Sequence, residues 1–370
     1  MIYLDNSATT KARAEVLETF VSASEQFYAN PASLHKMGNA AEDLLEQARQ
    51  QAARLLHMQH VIFTSGGTES NNLAIAGTAR AHSHRGRHII SSAIEHPSVL
   101  NTLQALELEG FEVTLLPVDS EGQIRLQDLQ DALRKDTILV TLMHVNNELG
   151  TVLPIEEVAG ILKPTRTLFH VDAVQSAGKL PIDPSGLPDL LSVSAHKFHG
   201  LKGSGVLAYN QADFRPVLHG GGQESGRRSG TVSVPHAAAF AKALRLMEPN
   251  PLWPEWNREL RAFFSKYPEV KIISPRTGAP YILTGAMQGI KGEVLVSALQ
   301  QQSVIVSTSS ACSSKNLQAS HVIDAISLPP ALRDGVFRIS LGAMTESADI
   351  AAFKQAFDAA YRVIKGEQTQ

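Results

Sequence analysis

Runs of aliphatic and β-branched residues alternate with amphipathic stretches along the middle of the chain, and this alternation constrains the fold more than any other feature. The apolar runs are predicted strands at 61–64, 88–91, 112–116, 138–143, 167–171 and 190–193. The amphipathic stretches are predicted helices at 14–27, 40–56, 68–81, 98–109, 126–133 and 155–162. Those between strands are long enough for right-handed crossovers. The pattern predicts an α/β domain in which helices cover both faces of a mainly parallel sheet.

The alternation stops at a proline-rich connection, residues 248–254. Beyond it the periodicity predicts a strand at 270–273 and helices at 292–300 and 348–364. A change of pattern at such a connection is typical of a domain boundary. We therefore predict a large α/β domain, residues 12–248, and a smaller α+β domain formed by residues 1–11 and 249–370.

Composition excludes several classes of function. The chain has 370 residues, of which 43% are hydrophobic, and this is enough for a normal globular core. Its formal net charge of -3, without a basic run, gives no footprint for direct nucleic-acid binding. No apolar run is long enough to span a membrane, and the first residues lack the features of a signal peptide, so we expect a cytoplasmic protein without a membrane partner.

A single cysteine, Cys312, stands in the small polar stretch Ser307-Thr308-Ser309-Ser310-Ala311-Cys312-Ser313-Ser314. One cysteine excludes an internal disulfide framework and a cysteine-rich metal site built by one chain, and we expect no metal site. A free cysteine is often a small buried hydrophobic residue. The polar neighbours of Cys312 favour an accessible thiol instead, on a loop that can move.

A glycine turn follows the first predicted strand of the α/β domain, in Ser65-Gly66-Gly67-Thr68-Glu69-Ser70-Asn71. It matches neither a Walker turn nor the G-x-G-x-x-G spacing of a dinucleotide site. Free backbone N–H groups at the following helix start can bind an anion. An ordinary strand-to-helix turn capped by Thr68 or Ser70 remains the alternative to a site for a single phosphate.

Two polar residues stand at the ends of later strands: Asp172, in His170-Val171-Asp172-Ala173-Val174-Gln175, and Lys197, in Ser194-Ala195-His196-Lys197-Phe198-His199-Gly200. Pyridoxal phosphate needs a lysine for its Schiff base, a carboxylate for its ring nitrogen and a phosphate site at a helix start. All three occur at strand ends, where open parallel sheets bind ligands. The pattern favours a pyridoxal-phosphate enzyme.

Further motifs run in order along nearly the whole chain. They are Tyr3-Leu4-Asp5-Asn6-Ser7-Ala8-Thr9-Thr10, the turn at 63–72, Glu95-His96-Pro97, residues 144–150, the Asp172 and Lys197 segments, Gly220-Gly221-Gly222-Gln223-Glu224, Arg228-Ser229-Gly230-Thr231, Ser310-Ala311-Cys312-Ser313-Ser314 and Arg338-Ile339-Ser340-Leu341-Gly342. Together they resemble the cysteine desulfurases of the nitrogen-fixation and iron–sulfur-assembly class. These are fold-type I pyridoxal-phosphate enzymes, similar to class V aminotransferases.

The resemblance implies an enzyme that converts L-cysteine to L-alanine. Sulfur would pass to Cys312 as a persulfide and then to a sulfur-acceptor protein, for iron–sulfur cluster assembly or transfer-RNA thiolation. It also implies a homodimer, because Thr231 would reach the cofactor phosphate of the partner subunit.

The resemblance also assigns roles to single residues. Lys197, Cys312 and His96 would be catalytic, with Lys197 holding the cofactor and His96 stacking on its ring and moving protons. The other cofactor-binding residues implied are Gly67, Thr68, Asn147, Asp172, Gln175, Ser194, His196 and Thr231. Arg338 and Asn147 would bind the substrate, with Arg338 on its carboxylate.

Simpler interpretations of these residues remain open. His96 could only begin a helix, Asn147 could only stabilise a loop, and Arg338 could be a paired structural arginine. A selenocysteine lyase, an aminotransferase on the same fold and a non-catalytic sulfur-assembly scaffold are the alternative functions. Three departures from the family pattern, at Ser309, at Ser225 and at Ala343-Met344, concern loop dynamics and partner surface more than chemistry.

Overall fold

The computed structural model describes residues 1–183, 186–308 and 320–366. Its strands are β1 (Ile2–Tyr3), β2 (His60–Thr64), β3 (His88–Ser92), β4 (Glu112–Leu116), β5 (Thr137–Met143), β6 (Leu168–Asp172), β7 (Leu190–Ser194), β8 (Gly205–Tyr209), β9 (Val270–Ile272), β10 (Ile282–Met287), β11 (Val304–Ile305) and β12 (Val336–Ser340). Its α-helices are α1 (Ala14–Gln26), α2 (Lys36–Leu55), α3 (Gly67–His82), α4 (Pro97–Leu108), α5 (Leu126–Ala132), α6 (Ile155–Leu162), α7 (Val234–Leu246), α8 (Trp253–Phe264), α9 (Gly292–Gln301), α10 (His321–Ala325), α11 (Pro330–Arg333) and α12 (Ser347–Lys365).

Seven strands form the main sheet in the order β2-β8-β7-β6-β5-β3-β4. The neighbours from β7 to β4 pair in parallel, whereas β8 runs antiparallel to both β2 and β7. Strands β3, β5 and β7 are buried throughout, as expected for parallel strands covered on both faces. The predicted fold class, a mainly parallel α/β sheet flanked by helices, is confirmed.

A smaller sheet, β12-β10-β9, is antiparallel, and β1 pairs in parallel with β11. The N-terminal segment therefore joins the C-terminal part of the chain. Leu4 and Ser340 extend this contact, because the Ser340 N–H donates to the Leu4 carbonyl over 2.7 Å. This pairing agrees with the assignment of residues 1–11 to the smaller domain, although the division itself stays a prediction.

Several elements differ from their sequence predictions. Helix α2 begins at Lys36 rather than residue 40, because the His35 side chain accepts the Gly38 N–H and caps it. The sequence patterns did not predict β8, α7 or α8. Helix α7 has buried residues on all sides, among them Ala239, Phe240 and Ala241, so it lacks the one-sided periodicity that marks a surface helix. Within the described residues, no helix has the length and apolar character needed to cross a membrane.

Candidate active site

The ends of β6 and β7 lie side by side in the sheet and carry the central polar residues. Asp172 is the last residue of β6, and Ser194 is the last residue of β7. A short 3-10 turn, Ala195–Lys197, follows β7 and carries His196 and Lys197 out of the sheet. These residues therefore lie at the carboxyl ends of two neighbouring parallel strands, the edge at which open parallel sheets bind ligands.

The glycine turn packs directly against this edge. A Cβ added at Gly67 would lie 2.7 Å from Cγ2 of Val174 and 3.6 Å from Cβ of Ser194, so close approach requires glycine there. Gly66 has a φ of 147°, a conformation that other residues rarely adopt. No side chain caps α3, and Thr68 in its first turn is exposed. The helix therefore presents uncapped N–H groups, as expected for an anion site.

Asp172 is held in a buried hydrogen-bond chain. Its carboxylate accepts the Val174 N–H at 3.0 Å and an Asn71 amide N–H at 2.7 Å. The same Asn71 nitrogen donates to the Ser98 hydroxyl, which lies 2.8 Å from Nδ1 of His96. Asp172 and His96 are thus joined through two neutral side chains.

His96 begins α4 and caps it, because its Nδ1 accepts the Ser98 N–H over 3.1 Å. In the neutral ring the proton therefore resides on Nε2. Burial lowers the pKa of His96, and the negative charge of Asp172 partly opposes this. The simple interpretation, a helix-start residue, is accurate, but it leaves Nε2 available for chemistry.

Lys197 lies against the N-terminal segment. Its Nζ donates to the carbonyl oxygens of Ser7, at 2.5 Å, and Ala8, at 2.9 Å. Gln175 donates to the same Ser7 carbonyl through Nε2, at 2.9 Å, whereas its Oε1 is buried with no partner among the described residues. The segment 7–8 therefore brings together two of the predicted site residues.

His196 sits beside Lys197 with its Nδ1 3.2 Å from the Thr9 hydroxyl. Burial first, then the charge of Lys197, lowers the pKa of His196 to about 4. The ring is therefore neutral at physiological pH and can donate or accept a hydrogen bond there.

Arg338 lies in β12 with its side chain only 2% exposed. Its Nη1 donates to the Asn147 carbonyl at 2.8 Å, and its Nη2 pairs with Asp5 at 3.0 Å. Its Nε is buried without a partner among the described residues. Burial raises the pKa of Asp5, while the Arg338 charge opposes this. Arg338 is a paired arginine that still has a free donor.

The two adjacent asparagines, Asn146 and Asn147, make different contacts. Asn146 is fully buried and its Oδ1 accepts the N–H groups of Glu148 and Leu149, at 2.9 and 2.8 Å. The loop-stabilising role considered for Asn147 thus belongs to Asn146. Asn147 is partly exposed and lies next to Arg338.

Among the described residues, the predicted site residue Thr231 is not brought into this cluster. Cys312 lies outside the described residues, as do Ser309 and Pro184. Thr231 is exposed in the loop before α7, which is compatible with a role toward a second subunit but does not test it.

Sequence reasoning missed the roles of Asn71, Glu95 and the Ser7 carbonyl. Asn71 follows the glycine turn by one helical turn, a spacing that points it toward the same site as Gly67. Glu95 is completely buried; its Oε1 accepts from Ser92 and from the Met143 N–H, and its Oε2 has no partner among the described residues. Burial raises the pKa of Glu95 to about 8, a property that no pattern of residues reveals.

The sequence matches the family model described as aminotransferase class-V over residues 2–353. A curated relative, the NifS/IcsS protein homolog of Lactobacillus delbrueckii subsp. bulgaricus, is 44% identical over 98% of this chain and 97% of its own length. The cysteine desulfurase IscS of Dictyoglomus turgidum is 42% identical over 94% of this chain and 91% of its own.

Solved structures give the same result. A NifS-like protein superposes with a TM-score of 0.91 at 34% identity, covering 99% of both chains. SspA, solved in complex with cysteine, superposes with a TM-score of 0.84 at 34% identity, covering 94% of this chain and 100% of its own.

Proposed function

The chain belongs to the aminotransferase class-V family, and from this premise we propose that it is a pyridoxal-phosphate-dependent cysteine desulfurase. It would convert L-cysteine to L-alanine and pass the sulfur through Cys312 to an acceptor protein. The relatives named cysteine desulfurase and the neighbour solved with cysteine support this proposal.

One observation carries the proposal: an uncapped helix start, a buried carboxylate and a lysine amine converge on one sheet edge. Gly67 at the start of α3 packs on Val174 and Ser194, and Asn71 of the same helix donates to Asp172. Lys197 follows Ser194 by three residues in the 3-10 turn. These three features are the ones that hold a pyridoxal ring, its phosphate and its aldehyde carbon.

The residues present fit this cofactor. The uncapped N–H groups of Gly67 and Thr68, with Ser194 and the neutral His196, would bind the phosphate. Asp172 would face the ring nitrogen. The buried Oε1 of Gln175, which has no partner among the described residues, would accept a hydrogen bond from the ring hydroxyl. When bound, the cofactor supplies an electron sink for the bond to the substrate α-carbon.

Lys197 would hold the cofactor and afterwards take the substrate α-proton on the released amine. The Ser7 and Ala8 carbonyls orient this amine. His96 carries its neutral-ring proton on Nε2, and it is the proposed proton shuttle toward the substrate.

Arg338 is proposed to bind the substrate carboxylate, with Asn147 at its side. The buried Nε of Arg338 lacks an acceptor among the described residues, and a carboxylate would supply one. Asp5 competes for the same guanidinium, so its displacement would accompany substrate binding.

The thiolate of Cys312 is proposed to attack the substrate sulfur: the new S–S bond forms as the substrate C–S bond breaks, the electron pair stays on the carbon, which is protonated to give alanine, and a persulfide remains on Cys312. A homodimer in which Thr231 reaches the partner's phosphate, a cytoplasmic location, and delivery to iron–sulfur assembly or transfer-RNA thiolation belong to the same proposal. The exposed position of Thr231 supports the first of these.

The direct test is to incubate the protein with pyridoxal phosphate, L-cysteine and a reducing thiol, and to measure alanine and sulfide together. Equal amounts of both are expected from the wild type and neither from Lys197→Ala. A pyruvate product, or alanine formed only with a keto-acid partner, would contradict the proposal and favour a lyase or an aminotransferase.

A further inference from the structure

A second lysine, Lys179, lies in the turn that follows β6. Only 7% of its surface is exposed, which is rare for a lysine without a charge partner. The backbone of the turn is fixed, because the Lys179 N–H donates to the Ser176 carbonyl at 2.8 Å. The side chain is therefore held inside the protein rather than folded back by chance.

The surroundings of Lys179 leave its charge uncompensated. Its Nζ lies 5.0 Å from the centre of the Tyr281 ring, and such a contact offsets only part of the cost of burying an ammonium group. Across residues 1–183, 186–308 and 320–366, no carboxylate forms an ion pair with it. A protein retains so costly a group where the charge is useful.

Short contacts join Lys179 to the site of Lys197. The Tyr281 hydroxyl donates to the Gln175 carbonyl at 2.8 Å, and the Gln175 amide donates to the Ser7 carbonyl, which also accepts from Lys197. This chain of contacts joins the two lysines in one cluster. Burial first, then the charge of Lys197, lowers the pKa of Lys179 to about 7.

Other charged or titratable groups surround the two lysines; among them, Lys202 acts on His196, Arg13 on His199 and His321 on His96. Asp5, His96 and His196 interact electrostatically with Lys197, and His196 and His199 with Lys179. Burial lowers the pKa of each of these histidines, so they are predominantly neutral near neutral pH. Asp5 is paired with Arg338. Lys179 thus adds a positive charge to the surroundings of Lys197.

We propose that Lys179 is a positioning residue whose protonated form acts on Lys197 through its charge, making the Lys197 nitrogen harder to protonate. A lysine beside another cation keeps more of its amine in the reactive, neutral form. This inference rests on the proposed role of Lys197 as the cofactor lysine. In this role Lys179 acts through Lys197 and needs no contact with the cofactor or the substrate.

The test compares the wild-type holoenzyme with Lys179→Met, in which the charge is lost and the apolar length is kept. Bound pyridoxal phosphate changes its visible absorption when its link to lysine is protonated, so a pH titration reports the proton affinity of that link. We expect the midpoint to rise by about one pH unit, a tenfold gain in proton affinity, in Lys179→Met.

Two control variants make the test specific. Lys179→Arg keeps the charge and should titrate near the wild type. Lys354→Met removes a partly exposed lysine of α12 that pairs with Glu259, and should leave the midpoint unchanged. An unshifted midpoint in a folded, cofactor-loaded Lys179→Met protein overturns the inference.

If Lys179→Met does not fold, Lys179→Gln provides the same comparison, and failure of both to fold would show a structural role and overturn the inference. A separate experiment tests the proposed function. Borohydride reduction should attach the cofactor of the wild type to Lys197, and absence of that attachment would refute the role of Lys197 whatever Lys179 does.

Discussion

Arg338 has structural contacts in addition to its proposed role in substrate binding. Its guanidinium joins the N-terminal segment, through Asp5, to the loop that contains Asn147. A buried ion pair usually contributes little net stability, because desolvation of both charges offsets their attraction. The pair is better understood as holding a donor group in place for a second carboxylate.

Arg338→Ala is therefore expected to weaken L-cysteine binding by about 2 to 4 kcal/mol, because a desolvated carboxylate loses a charge-assisted partner. The apparent affinity can be measured from the change in cofactor absorption on adding cysteine. Arg333→Ala, which removes a partly exposed arginine paired with Asp324, is the matched control and should bind normally. Unchanged affinity in Arg338→Ala would remove Arg338 from the substrate site.

The raised pKa of Glu95 predicts how the free energy of unfolding depends on pH. Its ordinary pKa of 4.5 applies to the unfolded chain, and burial raises the folded value to about 8. The folded chain therefore keeps a proton that the unfolded chain releases between these pH values. The stability due to the neutral carboxyl is fully present below pH 4.5 and is lost as the pH rises toward 8.

Glu95→Gln keeps the shape of the side chain and cannot ionise. Its free energy of unfolding should equal that of the wild type near pH 4.5 and exceed it at pH 8, by on the order of 2 to 4 kcal/mol. Urea unfolding at several pH values measures the difference. A difference that does not change with pH would show that Glu95 is ionised in the folded protein.

At the scale of elements, the start of α3 determines what the site can hold. Gly67 lies close to Val174, a branched side chain with little freedom to move, so an added methyl group must push the helix start from the sheet edge. That displacement would move the N–H groups that are proposed to bind the cofactor phosphate.

Gly67→Ala should therefore reduce the affinity for pyridoxal phosphate at least about tenfold, since one misplaced charge-assisted hydrogen bond costs about 1.5 kcal/mol or more. Fluorescence or absorption titration of the cofactor-free protein measures this affinity. Gly160→Ala, in α6 with open space around the added methyl group, is the control and should bind the cofactor normally. Equal affinities in the two variants would place the phosphate elsewhere.

Element type was predictable where periodicity is clear, and less so where burial is complete. The strands at 88–91 and 138–143 were predicted within one residue of β3 and β5. Strand β8, Gly205–Tyr209, was missed although it is as long as β3, and its residues contain no signal for running antiparallel to its neighbours. Helix α7 was missed because an all-round apolar helix has no polar face to mark its period.

Burial also limited which residues of the candidate site could be predicted from the sequence. Asp172 and Lys197 could be identified because each lies at or just beyond the end of an apolar strand, where a charged residue stands out. Lys179 and Glu95 could not, because burial and missing partners arise from packing between distant segments, such as Lys179 against Tyr281. Which charged side chains the fold buries can be determined only from the three-dimensional structure.

At the scale of the whole molecule, residues from the predicted large and smaller domains meet at the proposed active site. The N-terminal residues 2–5 pair with β11 and Ser340, while the Ser7 and Ala8 carbonyls hold Lys197 of the large sheet. His199 adds a further link: its Nδ1 lies 2.9 Å from the Lys11 carbonyl, and its Nε2 accepts the Ala343 N–H. Residues from both parts, Lys197 and Arg338, thus contribute to one proposed active site.

The proposed desulfurase activity is tested most directly by a single turnover with L-cysteine and without a reducing thiol, in the wild type and in Cys312→Ser. The serine hydroxyl stays protonated at neutral pH and cannot replace a thiolate, although cofactor binding should survive. We expect the wild type to release alanine and to carry one added sulfur on the peptide that contains Cys312, as measured by mass spectrometry. The serine variant should still change its cofactor spectrum with cysteine but release little alanine. Release of alanine by Cys312→Ser at the wild-type rate would contradict the account.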